Sequence, residues 1–245
     1  KVKQQVSNIR NESFADHIFT TDDICLGIRK LKSNKFDGDL GFHSDHILNG
    51  SISFQQHLVC LFNAMLIHGF SPDYLNTGSL VPIPKGKRLN INNSDNFRAV
   101  CLQGSICKLL DIVIMSKESE NLKTENNQFG FKSGVSAGLA TSVLHEVIDY
   151  YKHNGSSVYV LALDATKAFD RVMYGKLFML LLEKSVSPLY VRLLMEMYIN
   201  QKLRVSYNGS HSEWFGVSNG VKQGGILSPS LFSMYIDGML TKLKE

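Results

Sequence analysis

The chain lacks any apolar run long enough to cross a membrane as a helix. Its apolar stretches, such as residues 158–163 and 178–182, are far shorter than the about 20 residues that a spanning helix needs. It also lacks internal repeats and low-complexity tracts, and its 245 residues are 44% hydrophobic and 20% charged. We therefore expect one large domain or two small ones that span no membrane, and we exclude wholesale disorder and a collagen-like chain.

Cysteine is scarce and shows no paired pattern. The chain has four cysteines, Cys25, Cys60, Cys101 and Cys107, with no CxxC pair and no histidine at zinc-finger spacing. This predicts reduced thiols and an intracellular protein without zinc or disulfides. No charged-then-apolar leader opens the chain and its first residue is Lys1, so we expect a piece of a longer polypeptide that is not secreted. The net charge of +4 permits a nucleic-acid partner without requiring one.

Hydrophobic periodicity predicts a mixture of helices and strands, which is typical of the α+β class. Helices are expected at 21–31, 54–68, 106–117, 137–152, 175–184, 188–200 and from 228 towards 245, a loop at 34–41, and strands at 79–83, 97–102, 157–163, 203–207 and 212–217. Pro82 and Pro84 should confine the first strand to an edge or a strand end. Asn208-Gly209 is typical of a hairpin turn. The stretch 157–163 is apolar on both faces, which predicts a buried strand in a covered sheet.

An acidic residue, Asp164, directly follows this predicted buried strand, and Asp170 lies six positions later. A buried carboxylate is costly unless it is paired, and a divalent metal in a phosphoryl-transfer site is one such partner. An Asp that caps the following turn is the alternative interpretation, and the stretch 161–170 taken alone favours it.

Three further segments could carry chemistry. The glycine-rich stretch 220–229 would let the backbone approach a bulky ligand, or it is an ordinary loop before a helix. Lys85 stands at the tip of a predicted hairpin and Arg98 on its return strand, where they could hold a triphosphate or simply be solvated. The turn-rich stretch 128–134 carries aromatics that suit either stacking or packing.

Taken together and in this order, the four segments resemble the reverse transcriptases of non-LTR (LINE-like) retrotransposons, with group II intron maturases as more distant relatives. The resemblance extends from residue 31 to the C-terminus and rests on 164–170, 220–232, 96–100 and 128–134; residues 30–41 also look like the loop upstream of the fingers. It implies a right-hand polymerase with an N-terminal extension and the start of the fingers at 1–70. The fingers would follow at 71–155 and a partial palm at 156–245, with the thumb absent.

The resemblance also implies roles for individual residues. Asp164 would be the catalytic carboxylate and a Mg²⁺ ligand, together with the Ala165 carbonyl, in a site that holds two ions in the complete enzyme. Phe169 would be the steric gate that favours dNTP over rNTP. The expected dNTP-binding residues are Lys85 (or Lys87), Arg98, Phe169, Gln223 and Gly224, and the expected template-binding residues are Gln128, Phe129, Gly130 and Lys132. Asp170 is interpreted as structural, pairing with Arg171 or Lys167.

One feature of the family is not found in these 245 residues. The aromatic-Ala-Asp-Asp hairpin that supplies further carboxylates is absent, and no Asp-Asp pair follows Asp164. The chain by itself is therefore expected not to polymerise. The implied whole is an RNA-directed DNA polymerase with an RNA template, a DNA primer and dNTP as partners. A remnant that only binds nucleic acid, a decayed copy and an unrelated α+β enzyme are the alternatives. Nuclear localisation is compatible with this interpretation, but no basic signal supports it.

Overall fold

The computed structural model describes residues 16–36, 42–86 and 88–243. Four parts of the chain lie outside the described residues: 1–15, 37–41, which belong to the predicted 34–41 loop, Lys87 and 244–245. Within the described ranges eight α-helices and five β-strands occur. The helices are α1 (Thr21–Arg29), α2 (Ser44–Leu48), α3 (Ile52–His68), α4 (Ser105–Lys117), α5 (Ala137–His153), α6 (Tyr174–Glu183), α7 (Pro188–Ile199) and α8 (Ser228–Lys242). The strands are β1 (Thr77–Pro84), β2 (Phe97–Leu102), β3 (Lys202–Tyr207), β4 (Ser210–His211) and β5 (Phe215–Gly216).

The helix ends follow from local signals in the sequence. Thr20 caps α1 through a reciprocal pair of bonds with Asp23, which satisfies N–H groups that the first turn leaves without partners. Gly69 ends α3 in the left-handed conformation, at φ 61°, which glycine adopts without steric cost. Ser187 caps α7 with Pro188 directly after it. These boundaries confirm the sequence predictions.

The strands form one mixed sheet in the order β2-β1-β3-β4, and β5 also pairs with β3. β1 runs antiparallel to β2 and parallel to β3, but β3 reaches only the first half of β1, from Thr77 to Leu80. Pro82 and Pro84 lie in the other half, which has β2 as its neighbour, as expected for residues that cannot donate a ladder hydrogen bond. Asn208 and Gly209, at φ 48° and 77°, form the turn between β3 and β4.

The predicted buried strand at 157–163 is wrong. These residues form no strand, and Tyr159 and Leu161 are 94% and 81% exposed. A strand needs a neighbour for its backbone groups and a layer over its apolar face, and none of the described strands pairs with this stretch. The α+β class is confirmed, but the strand expected at its centre is not formed.

One hydrophobic core draws on all three of the expected divisions of the chain. It includes Phe19, Leu110 and Tyr190, which stand in the ranges 1–70, 71–155 and 156–245 respectively. Helix α1 packs on α3 and α4, α3 packs on α7, and α6 packs on both α7 and α8. The division into extension, fingers and palm stays a prediction. Among the described helices, none is both long enough and apolar enough to cross a bilayer.

Candidate functional site

A cleft of about 890 Å³ lies between the β1–β2 hairpin, the segment after residue 163 and the glycine-rich loop. The hairpin contributes Lys85 and Arg98, the segment contributes 164–167, and the loop contributes Gln223. Three stretches that are far apart in the chain therefore meet at one concave surface. The structure brings together five of the residues predicted for the site: Lys85, Arg98, Asp164, Ala165 and Gln223.

The hairpin supplies the basic wall of the cleft. Arg98 lies opposite Ile83 in the β1–β2 register, next to the end of β1, and Lys85 follows that strand directly. The Lys85 N–H donates to the Asn96 carbonyl (2.8 Å) and its Nζ donates to the Asp95 carbonyl (2.7 Å). The turn thus holds the lysine beside Arg98, and two cations on one wall favour an anionic ligand.

Asp164 lies in the cleft but is exposed, because the stretch that precedes it is not a buried strand. The prediction that Asp164 is buried and needs a partner for its charge is therefore wrong. Its place in the cleft is the observation that remains.

A divalent cation would find oxygen donors here, but too few for a complete site. The Asp164 carboxylate and the Ala165 carbonyl are of the chemical kind that Mg²⁺ prefers. No group of three His, Cys, Asp or Glu side chains in the described ranges could hold a metal ion. The residues present therefore fit part of a metal site and not a two-ion centre, which would need further carboxylates.

Two other carboxylates of the cleft are bonded to nearby side chains. Lys167 forms an ion pair with Asp95 of the hairpin, at 3.1 Å, so the pairing of Asp170 with Lys167, one of its two expected partners together with Arg171, is wrong. Asp170 instead accepts a hydrogen bond from Gln223 Nε2, at 3.2 Å. Lys167 itself has φ 53°, an uncommon conformation for a residue other than glycine.

Phe169 lies beside the cleft, in the short 3₁₀ turn Phe169–Arg171. Its ring stacks on Phe232 of α8, with centroids 4.8 Å apart, and meets Phe131 edge-on at 5.8 Å. This packing holds the ring in place on the protein side. Its role as a sugar gate stays a prediction.

The glycine-rich loop is held against the hairpin and the 3₁₀ turn by backbone bonds. The Cys101 N–H donates to the Gln223 carbonyl (2.6 Å), and the Val221 N–H donates to the Phe169 carbonyl (2.9 Å). Gly224, at φ 102°, lies so close to β2 that a Cβ there would be 3.0 Å from the Cys101 carbonyl oxygen. The glycine is required by both the conformation and the approach.

The predicted template-binding stretch packs on α8 rather than lining the cleft. Gln128 is buried, and its Nε2 donates to the Ser233 carbonyl (3.1 Å). Lys132 Nζ donates to the carbonyls of Thr124 and Glu125. Phe129 is half-buried and Gly130 is exposed. Both polar side chains therefore serve the fold, and contact with a template remains a prediction for all four residues.

A buried charged cluster behind the glycine-rich loop is the feature that the sequence analysis missed. Asp111 of α4 is 7% exposed, and the backbone N–H groups of Ile226 and Leu227 donate to its carboxylate. Burial raises the pKa of Asp111 to about 6, while the Lys222 ammonium and these two N–H groups lower the pKa in part. The signal in the sequence was an acidic residue inside the otherwise apolar run 109–115, because charged residues are rarely buried without a partner.

Comparison with known proteins identifies the family of the chain. Residues 83–245, more than half of the chain, match the family described as reverse transcriptase (RNA-dependent DNA polymerase). The chain belongs to this family. Its similar proteins come from non-LTR retroelements, so it is a reverse transcriptase domain of a retroelement.

Three curated relatives show how much of a longer protein the chain covers. It is 28% identical over 196 residues to the Pol polyprotein of the type-1 element R2 of Nasonia vitripennis, covering 79% of this chain and 19% of the relative. It is 27% identical over 234 residues to the RNA-directed DNA polymerase of the mobile element jockey of Drosophila funebris, covering 90% and 24% respectively. It is 24% identical over 183 residues to the Pol polyprotein of the type-2 element R2DM of Drosophila melanogaster, covering 75% and 17%. The chain thus spans about a fifth of the length of these relatives.

Proposed function

We propose that the cleft binds an incoming deoxynucleoside triphosphate for RNA-directed DNA synthesis. The observation that carries the proposal is the meeting of Lys85, Arg98, the Asp164 carboxylate and Gln223 in one cleft. These are the chemical groups that a triphosphate, a reacting phosphate and a nucleotide face require.

Each wall of the cleft has a role in this proposal. Lys85 and Arg98 bind the triphosphate oxygens and neutralise the charge that passes to the pyrophosphate as it leaves. Gln223 and Gly224 form the surface beside the nucleotide, and the Phe169 ring lies next to its sugar. In the reaction the primer 3′-hydroxyl releases its proton to solvent, its oxygen forms a bond to the α-phosphorus, and the bond from that phosphorus to pyrophosphate breaks. Orientation of the triphosphate by these side chains would contribute much of the rate.

Asp164 is proposed as the residue of this chain that holds a divalent cation, with the Ala165 carbonyl beside it. The family is generally dependent on divalent metals, and we propose Mg²⁺ as the ion. When bound, the ion would supply charge neutralisation at the reacting phosphate. One carboxylate does not complete the ion's ligands, so we expect the 245-residue chain alone to bind nucleotide without extending a primer.

The partners proposed for the whole protein are an RNA template and a DNA primer, in keeping with the family. The stretch with Gln128, Phe129, Gly130 and Lys132 is proposed to lie near the template, and phosphate contacts would make template binding fall steeply with salt. Access to the nucleus is proposed because copying onto a chromosomal primer requires it.

Nucleotide binding by the chain tests the proposal. We would measure the Kd for dATP with Mg²⁺ by titration calorimetry, for the wild type, Arg98→Ala and Lys202→Ala. Loss of one charge-assisted contact should raise the Kd about tenfold or more for Arg98→Ala. Lys202 is an exposed lysine of β3 outside the cleft, so Lys202→Ala should bind as the wild type does. Equal Kd values for all three proteins would refute the assignment of the cleft.

A second function, binding of nucleic acid without synthesis, is favoured by the small number of metal donors in the cleft. It predicts that the chain retains a labelled RNA–DNA duplex at low salt and binds no dATP. Saturable binding of dATP that is weakened in Arg98→Ala would contradict this alternative and support the nucleotide site.

A further inference from the structure

Two charged side chains that do not line the cleft hold the two ends of the glycine-rich loop. Lys222, directly before Gln223, is 6% exposed, and its Nζ lies 5.6 Å from the centre of the Tyr198 ring. Asp111 accepts the two backbone N–H groups of Ile226 and Leu227, directly after Gly225. Between these anchors, Gln223 and Gly224 are the accessible tip of the loop.

The two anchors also act on each other. The Lys222 ammonium interacts electrostatically with the Asp111 carboxylate, and Ser228, the first residue of α8, hydrogen-bonds with Tyr198. Buried charges of opposite sign stabilise each other only in a fixed geometry, and removal of one leaves the other without compensation. The arrangement therefore favours one position of the loop over its alternatives.

We propose that Asp111 is a positioning residue: together with Lys222 it clamps the glycine-rich loop, so that Gln223 is held at the wall of the cleft. The inference rests on the proposed function of the cleft as a nucleotide site. Asp111 lies outside the lining of the cleft, and it acts on the nucleotide through the backbone of 224–227. The Gln223–Asp170 hydrogen bond of 3.2 Å is the contact in the cleft whose geometry depends on the clamp.

Hydrogen exchange of the chain tests the clamp without any ligand. Amide exchange of residues 220–228 would be followed by mass spectrometry in the wild type, in Asp111→Asn and in the double variant Asp111→Asn/Lys222→Met. The double variant removes both charges, so it avoids the buried unpaired lysine that could unfold Asp111→Asn. Exchange in this loop should accelerate about tenfold or more in the double variant while the rest of the core stays protected. Asp149→Asn, an exposed Asp of α5, is the matched control.

Nucleotide affinity then separates positioning from general stability. If Asp111 acts through Gln223, the double variant and Gln223→Ala should raise the Kd for dATP by similar factors, and combining them should add little. Independent, multiplying effects would overturn the positioning role. Loop exchange equal to that of Asp149→Asn would overturn the clamp itself. If the wild type binds no dATP, the proposed function fails, and the exchange experiment alone decides whether the clamp exists.

Discussion

At the scale of single residues, Gly224 shows how tightly the loop is built. Its φ of 102° and the 3.0 Å approach of a hypothetical Cβ to the Cys101 carbonyl oxygen both exclude a side chain. We expect Gly224→Ala to lower the free energy of unfolding by about 1–3 kcal/mol and to weaken nucleotide binding, because the loop must move away from β2. Urea unfolding and the dATP titration measure the two effects.

Gly175 of α6 provides the matched control for that substitution. A Cβ built there meets no described atom within 4 Å, and its position is helical. Gly175→Ala should therefore raise stability by about 0.5–1 kcal/mol. A loss at Gly175 as large as that at Gly224 would show that the loop geometry is not the cause.

The Asp111 carboxyl makes stability depend on pH. Its pKa in the fold is about 6 against an ordinary value of 3.8, so the folded chain binds this proton more tightly than the unfolded chain does. Stability from this residue is then highest below pH 4 and falls as pH rises from about 4 to about 6. The pKa values of Tyr198 and Cys101, which face the cluster, are raised by burial, so neither side chain ionises in this window.

The measurement is urea unfolding across the same window, compared with Asp111→Asn/Lys222→Met. The wild type should lose on the order of 1–3 kcal/mol relative to the double variant between about pH 4 and pH 6.5. A constant difference across this range would mean that Asp111 is already ionised in the fold at pH 4.

At the scale of elements, the start of α1 joins a local signal to a tertiary contact. The Thr20 hydroxyl accepts from the Asp23 N–H (3.2 Å), and Asp23 Oδ2 also binds Lys117 Nζ of α4 at 2.9 Å. Thr20→Ala should cost about 1 kcal/mol of stability, because it removes the cap and loosens the carboxylate that binds α4. Thr21→Ala, one position into the helix, should have little effect. Similar costs for both in urea unfolding would remove the cap as the explanation.

Helix ends and the β3–β4 turn could be predicted because their signals are local. Thr20, Gly69, the Ser187-Pro188 pair and Asn208-Gly209 act within a few residues of their own backbone. The stretch 157–163 could not be predicted, because a strand depends on a neighbour that local sequence does not specify. Its apolar and β-branched residues favour an extended backbone, but whether a strand forms depends on pairing with a neighbouring strand.

The same distinction applies to the site. The resemblance to a family indicated Lys85, Arg98, Asp164 and Gln223, and the structure places them in one cleft. Asp111 was missed, because its importance depends on which backbone groups meet it from more than a hundred residues away. Hydrophobic periodicity predicts that helix α4 has an apolar face. It does not identify the backbone groups that bind a charged side chain within that face.

At the scale of the whole molecule, a large apolar surface is exposed on one part of the fold. Helix α5 has no buried residue in the structure, and Tyr150 is 66% exposed. Tyr159 and Leu161 of the neighbouring stretch are more exposed still, at 94% and 81%. Exposed apolar side chains such as these mark interaction surfaces or sites of aggregation where they form a patch.

We therefore expect the 245-residue chain to self-associate through this surface. Leu161→Lys should lower the apparent mass in light scattering at a given concentration and leave the melting temperature unchanged, because the side chain is almost fully exposed. Ser157→Lys adds the same charge at an exposed polar position and should change the mass less. A melting temperature that falls in Leu161→Lys would show that this side chain is packed in solution.

The hydrogen bond from the Tyr190 hydroxyl to the His17 carbonyl joins residues 173 positions apart, and Phe19 stacks on the same tyrosine ring. The β1–β3 pairing likewise joins Thr77 to Lys202. On a ribosome that adds about 5–20 residues per second, the beginning of this fold must wait on the order of ten seconds or more for its partners to emerge. During that interval Phe19 and its neighbours stay exposed to chaperones and proteases, because the residues that bury them have not yet been made. Stalled chains ending before and after Tyr190 should therefore differ sharply in protease resistance near residue 19, which pulse proteolysis of ribosome-bound chains would detect.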